Sequence, residues 1–146
     1  MTSTAAWSAL LRVHASLVPA LDHELQAAHQ TPLTWYDVLL ELNAAPDRQL
    51  TMSALGAVAV VSRTRVSRVV DELVAAGLVE RIPNPADRRS AFARITSAGR
   101  SRLRAAAPTY LAGIERHFTS HLTEREAATV AAALQKVLQA QVTSSS

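Results

Sequence analysis

Ser62-Arg63-Thr64-Arg65-Val66-Ser67-Arg68-Val69-Val70-Asp71-Glu72-Leu73-Val74-Ala75-Ala76-Gly77 decides how the rest of this chain is read. Val66, Val69, Val70, Leu73 and Val74 recur at the three- and four-residue spacing that makes one apolar stripe on a helix. The opposite side carries Thr64 and Arg68 near its centre, flanked by Arg65, Ser67, Asp71 and Glu72. Ser62 is suited to cap this helix, and Gly77 to close it in a left-handed conformation. A basic, hydroxylated N-terminal half is what a major-groove helix needs: arginine grips guanine O6 and N7 in a bidentate pair, while serine and threonine bond to bases or phosphates. The candidate DNA contacts here are Ser62, Arg63, Thr64, Arg65, Ser67 and Arg68. A merely solvated helix face is the competing reading, and the flanking sequence decides between them.

Just upstream, Thr51 can cap a short helix ending near Ala59, so the two helices form a tight helix-turn-helix pair. Downstream, residues 78–82 and 91–95 read as short strands separated by the loop Pro83-Asn84-Pro85-Ala86-Asp87-Arg88-Arg89-Ser90. That predicts a hairpin wing with an arginine tip. Arg88 and Arg89 suit the negative potential of a narrow minor groove, and Asp87 is expected to hold a neighbouring wing arginine by a bidentate pair. Arg81 and Arg94, at the base of the wing, either touch phosphate or pair with Glu80 and Asp71; Arg81 joins the DNA-binding candidates.

Farther out, residues 5–29 follow the helical period through Trp7, Leu10, Leu11, His14, Leu17, Val18, Leu21 and Leu25, with a kink expected at Pro19. A second helix is expected near Thr34, capped by Thr34 and Asp37, and ends before Pro46; Asp47-Arg48-Gln49 reads as a polar turn. After Thr96 the helical pattern returns through Leu103, Ala107, Tyr110, Ile114 and Phe118. Thr123 and Glu126 make a capping box for a last helix running to about residue 141, with Val130, Leu134, Val137 and Leu138 on one face and a frayed tail at 143–146. The fold class is therefore mainly α with a small β-hairpin wing. One domain, 1–146, holds a winged helix-turn-helix lobe at 32–96 and a helical dimerisation region at 5–29 and 97–142.

Composition agrees. Ten arginines face four acids between residues 62 and 104, a balance of +6, whereas the rest of the chain stands at −3, so one segment is built to meet a polyanion. The longest apolar run, residues 54–61, falls short of the roughly 20 residues a membrane span needs. With no basic stretch at the N-terminus, a soluble, cytoplasmic protein without membrane contact is expected. There is no cysteine, hence no disulfide, no thiolate metal site and no thiol switch. Neither a nucleophile elbow nor a phosphate-cradling glycine loop is present among only four glycines, so no enzyme and no cofactor are expected.

Read together, these residues resemble the MarR family of winged helix-turn-helix regulators. The likeness runs from Leu33-Thr34-Trp35-Tyr36-Asp37-Val38-Leu39, through residues 55–68, to Leu73-Val74-Ala75-Ala76-Gly77-Leu78-Val79-Glu80-Arg81, Asp87-Arg88-Arg89-Ser90 and Ile95-Thr96-Ser97-Ala98-Gly99-Arg100. The resemblance implies a homodimer held by the first and last two helices, a recognition helix at 62–76 and a wing around Arg88 and Arg89 that together read a pseudo-palindromic double-stranded operator. It also implies a regulator, more often a repressor, that a small aromatic acid releases. For such a ligand Arg12, His14, Trp35, Tyr36 and Tyr110 are the candidates, Arg12 on the analogy alone; Trp7 and His14 also lie where core or dimer packing would use them. Asp37, Arg68 and Arg81 resemble positions of the urate-responsive branch, but that branch's extended N-terminal helix is missing here. His117 and His121, four apart, resemble a zinc pair, although His121 falls where the helix ends and no cysteine supports a site, so no metal is assigned. A regulator with no small-molecule ligand, or a helical protein-interaction dimer, are the alternatives.

Overall fold

The computed structural model describes residues 2–87 and 89–144, with the side chains of all but Thr2, Ser3 and Arg63 among them. Contacts divide the chain into two compact units, residues 1–110 and 111–146.

The first unit opens with α1 (Thr2–His29), a single helix that includes Pro19, the position of the expected kink. Its Leu21 and Leu25 are buried, while Trp7, Leu10 and Leu11 farther up the same helix are exposed. The helix α2 (Leu33–Ala44) buries Tyr36, Val38, Leu39 and Leu42. It begins one residue before the expected cap, and no side chain of its own first turn caps it. Asp22 of α1 does so instead, accepting from the Leu33 backbone N–H at 2.8 Å, which leaves Asp37 free for another partner. The connection from α1 is fixed by Thr31, fully buried, whose hydroxyl donates to the His29 carbonyl and accepts from Arg102.

Pro46–Arg48 form a 3-10 turn with Asp47 and Arg48 both at positive φ. The expected polar turn is thus found at Asp47 and Arg48, but Gln49 already belongs to a strand, β1 (Gln49–Thr51). Thr51 caps α3 (Met52–Val58) as expected, accepting from the Ala54 N–H at 3.1 Å. The helix α4 (Arg63–Ala75) follows, and Gly77 ends it at φ +77, a conformation that costs glycine little. Strands β2 (Val79–Ile82) and β3 (Phe92–Ile95) form the expected hairpin, but the sheet has three antiparallel strands in the order β1-β3-β2, with Leu50 opposite Ala93 and Arg81 opposite Ala93 from the other side.

The helix α5 (Ser97–His117) leaves the sheet where Thr96 donates its hydroxyl to the Gly77 carbonyl and accepts from the Gly99 N–H. A Cβ on Gly99 would collide with the Leu78 carbonyl and come within 2.7 Å of Ile95 Cγ1, so only glycine lets α5 approach the sheet this closely. One core joins Leu25, Leu39, Leu42, Leu55, Val70, Leu73, Val79, Ile95, Leu103 and Ala106, and so draws on α1 and α5 as well as on the lobe read from the sequence.

In the second unit, α6 (Glu124–Ser144) opens with the expected capping box: the Thr123 N–H donates to Glu126 Oε1 at 3.0 Å and the Glu126 N–H to Thr123 Oγ1 at 3.1 Å. The Thr123 backbone N–H first, and the Thr123 side chain second, hold the Glu126 carboxyl below its ordinary value. None of the residues of α6 is buried, and Val137, Leu138 and Val142 stand mostly exposed.

Candidate nucleic-acid interface

The amphipathic reading of α4 holds along most of its length. Val66, Val69, Val70 and Leu73 are buried, while Thr64, Arg65, Ser67 and Arg68 are exposed. Val74, placed on the apolar stripe by its spacing, is 38% exposed. Ser62 stands at the N-cap and its carbonyl accepts from the Arg65 and Val66 N–H groups, but its hydroxyl pairs with that of Thr64 at 3.2 Å rather than with the backbone. Neither Arg65 nor Arg68 has a carboxylate partner among the described residues. A helix that buries valines and presents uncommitted guanidiniums beside hydroxyls is free to spend both on an anionic surface.

The acids of α4 are committed to partners within the chain. Asp71 pairs with Arg81 of β2 at 2.7 Å, and Glu72 accepts from the Trp35 indole N–H at 3.0 Å. Glu80 lies 3.6 Å from Arg94. Of the two roles open to Arg81 and Arg94, the structure therefore places both in ion pairs at the base of the wing. At its tip Asp87 accepts from the Arg89 backbone N–H at 3.0 Å. It is thus a turn-forming residue for Arg89, while the bidentate pair expected with a wing arginine falls, as regards Arg88, outside the described residues. Arg89 is exposed; Arg88 and the side chain of Arg63 lie outside the described residues.

Below α4 the turn from α3 is held by Asp37, whose Oδ2 accepts from the Val60 N–H at 2.8 Å. Burial pushes the Asp37 carboxyl above its ordinary value, partly offset by that bond. Beside it lies a cleft of about 610 Å³ lined from α1 by His14, Val18 and Asp22, from α2 by Leu33 and Asp37, and from the turn and α4 by Val61 and Arg65. Of the ligand candidates, His14 alone lines it. Tyr36 is buried and packs on Tyr110, ring centroids 4.6 Å apart, and burial raises both phenols. Trp35 is engaged with Glu72, and Arg12 is exposed outside the cleft. Asp22 and Arg65 are cleft residues that the ligand reading passed over, and nothing local marks them, since the cleft is assembled from three separate segments.

Among the described residues no group of three His, Cys, Asp or Glu side chains comes together as a metal site, and no helix is long and apolar enough to cross a membrane.

A sequence model of the MarR family matches residues 29–90. The multiple antibiotic resistance protein MarR of Escherichia coli is 34% identical over 73 residues, so the match spans about half of each protein, 50% of this chain and 51% of that one. Among solved structures, Sco3205 of Streptomyces coelicolor, a MarR family transcriptional regulator in complex with DNA, is 28% identical with a TM-score of 0.86 over 94% of this chain and 86% of its own. AbsC, a MarR family transcriptional regulator of the same organism, is 28% identical with a TM-score of 0.85 over 96% and 94%.

Proposed function

We propose, from the match of the MarR family model and the likeness to Sco3205, that this chain is a MarR family protein and a homodimeric, sequence-specific DNA-binding regulator of transcription, a repressor that a small aromatic or phenolic carboxylate releases. The observation that carries the reading is the exposed face of α4, where Thr64, Arg65, Ser67 and Arg68 stand outward over a buried valine stripe. Exposed Arg89 at the wing tip extends the same basic surface, and the likeness to Sco3205, solved on DNA, supports it.

The dimer is supported by the apolar surface each unit leaves uncovered: Trp7 and Leu11 on α1, and Val137, Leu138 and Val142 on α6. A second copy covering such faces removes them from water. Two-fold symmetry then lets two α4 helices read half-sites about one DNA turn apart. Release is supported by the cleft between α1, α2 and the turn before α4, whose valines suit an aromatic ring and whose Arg65 suits a carboxylate.

The test is a binding assay on the DNA upstream of the protein's own gene at several salt concentrations, with random DNA as control and with aromatic carboxylates added, alongside light scattering for the oligomeric state. Specific, salt-sensitive binding by a dimer is the expected result. Equal affinity for operator and random DNA, or a monomer at all concentrations, overturns it.

A further inference from the structure

The cleft beside Asp37 has an unusual charge balance for a site expected to take a carboxylate. It presents two carboxylates, Asp22 and Asp37, against one guanidinium, Arg65, with His14 at its edge. Asp22 has both oxygens engaged, one by the Leu33 N–H and one by Gln26 Nε2. Asp37 uses only Oδ2, on Val60, so its Oδ1 has no partner among the described residues. Arg65 is likewise without a carboxylate there.

We propose that this cleft is a binding site for an aromatic zwitterion, a small ring-bearing molecule whose ammonium pairs with Asp37 and whose carboxylate pairs with Arg65. The inference rests on the ligand-responsive part of the function proposed above and narrows its effector class. A plain aromatic acid satisfies Arg65 but sets a third negative charge among Asp22 and Asp37; a plain amine satisfies Asp37 and leaves Arg65 unpaired. A zwitterion answers both at once. Desolvation of Asp37, which raises its carboxyl, is relieved when a cation settles on it.

The same geometry explains how occupancy reaches DNA. Arg65 stands in the first turn of α4, on the face that meets phosphate or base, so a ligand carboxylate on its guanidinium withdraws one cation from the DNA surface. Because Oδ1 of Asp37 is the free oxygen, the ammonium binds without surrendering the bond to Val60. Ligand and DNA thus compete for one arginine, and their antagonism is reciprocal.

The experiment is calorimetric titration of the full chain, without DNA, with L-phenylalanine, benzoate and benzylamine, and the same set on Asp37→Asn. An asparagine oxygen still accepts from Val60, so the turn is retained, and the melting temperature of the variant checks this. L-Phenylalanine is expected to bind at least about tenfold more tightly than either half-molecule, and Asp37→Asn to lose about tenfold for L-phenylalanine while binding benzoate at least as tightly as the parent does. Benzoate binding as tightly as L-phenylalanine, an undiminished affinity in the variant, or no heat from any of the three overturns the assignment. DNA binding measured in parallel separates the two proposals: a protein that binds L-phenylalanine and no DNA overturns the regulator, whereas one that binds operator but not L-phenylalanine overturns the cleft assignment alone.

Discussion

Arg81 of β2 sits 2.7 Å from Asp71 of α4, which ties the base of the wing to that helix and gives one of the candidate DNA-binding arginines a carboxylate partner. Both side chains are largely exposed, so the pair adds little to stability. Its effect lies in where the positive charge is allowed to go.

Asp71→Asn therefore releases Arg81 toward phosphate. Stability should change by less than about 1 kcal/mol, whereas the dependence of log affinity on log salt should steepen by about 0.9, one phosphate's worth. Titrations at four or more salt concentrations read the slope; an unchanged slope means that Arg81 stays out of reach of the backbone.

Arg68 and Arg89 should divide the work. Arg68→Ala, at the centre of the exposed face of α4, is expected to cost about 1–3 kcal/mol on operator and little on random DNA. Arg89→Ala, at the wing tip, is expected to weaken both alike. Parallel titrations with operator and random duplexes decide it, and equal losses on both duplexes for both variants would remove the distinction.

Gly99→Ala puts a methyl group against the Leu78 carbonyl and Ile95 Cγ1. The backbone at Leu78 cannot swing aside as a side chain can, so the variant should lose about 1–3 kcal/mol or more in chemical denaturation. DNA affinity should fall with it as the wing is displaced. A variant as stable as the parent shows that α5 can slide.

Asp37 provides a pH test. Its folded-state carboxyl is raised above the ordinary 3.8, so the folded protein holds this proton more firmly than the unfolded chain does. Stability from this group accordingly falls as pH rises from near 3.8 through the raised value, and stays lower above it. Asp37→Asn should then melt higher than the parent at neutral pH, and the advantage should vanish below the ordinary value. Melting curves of both proteins from pH 3 to 7 give the difference, in which other titrating groups cancel; a constant difference across that range contradicts the shift.

Local chemistry was readable from the chain, and long-range chemistry was not. The Thr123–Glu126 box, the Thr51 cap and the left-handed Gly77 each depend on residues within three positions, and each is found where expected. The Thr34–Asp37 cap failed because Asp22, on another helix, already supplies what Leu33 needs, and Asp37 turns to Val60. Strand β1 has three residues and no alternation long enough to detect; only pairing with β3 defines it. The exposed face of α4 was legible from periodicity, but Trp35 reaching Glu72 across 37 positions, and the cleft with its two carboxylates, exist only in the folded chain.

The strand order carries a consequence for how the protein is made. The strand β3 is last of the three in sequence and central in the sheet, so β1 and β2 have no partner until Ile95 has left the ribosome. A chain that stops before Phe92 lacks the central strand with which both β1 and β2 pair. A fragment meant to serve as a free-standing DNA reader must therefore extend past β3 to the α5 residues Leu103 and Ala106, which belong to its core.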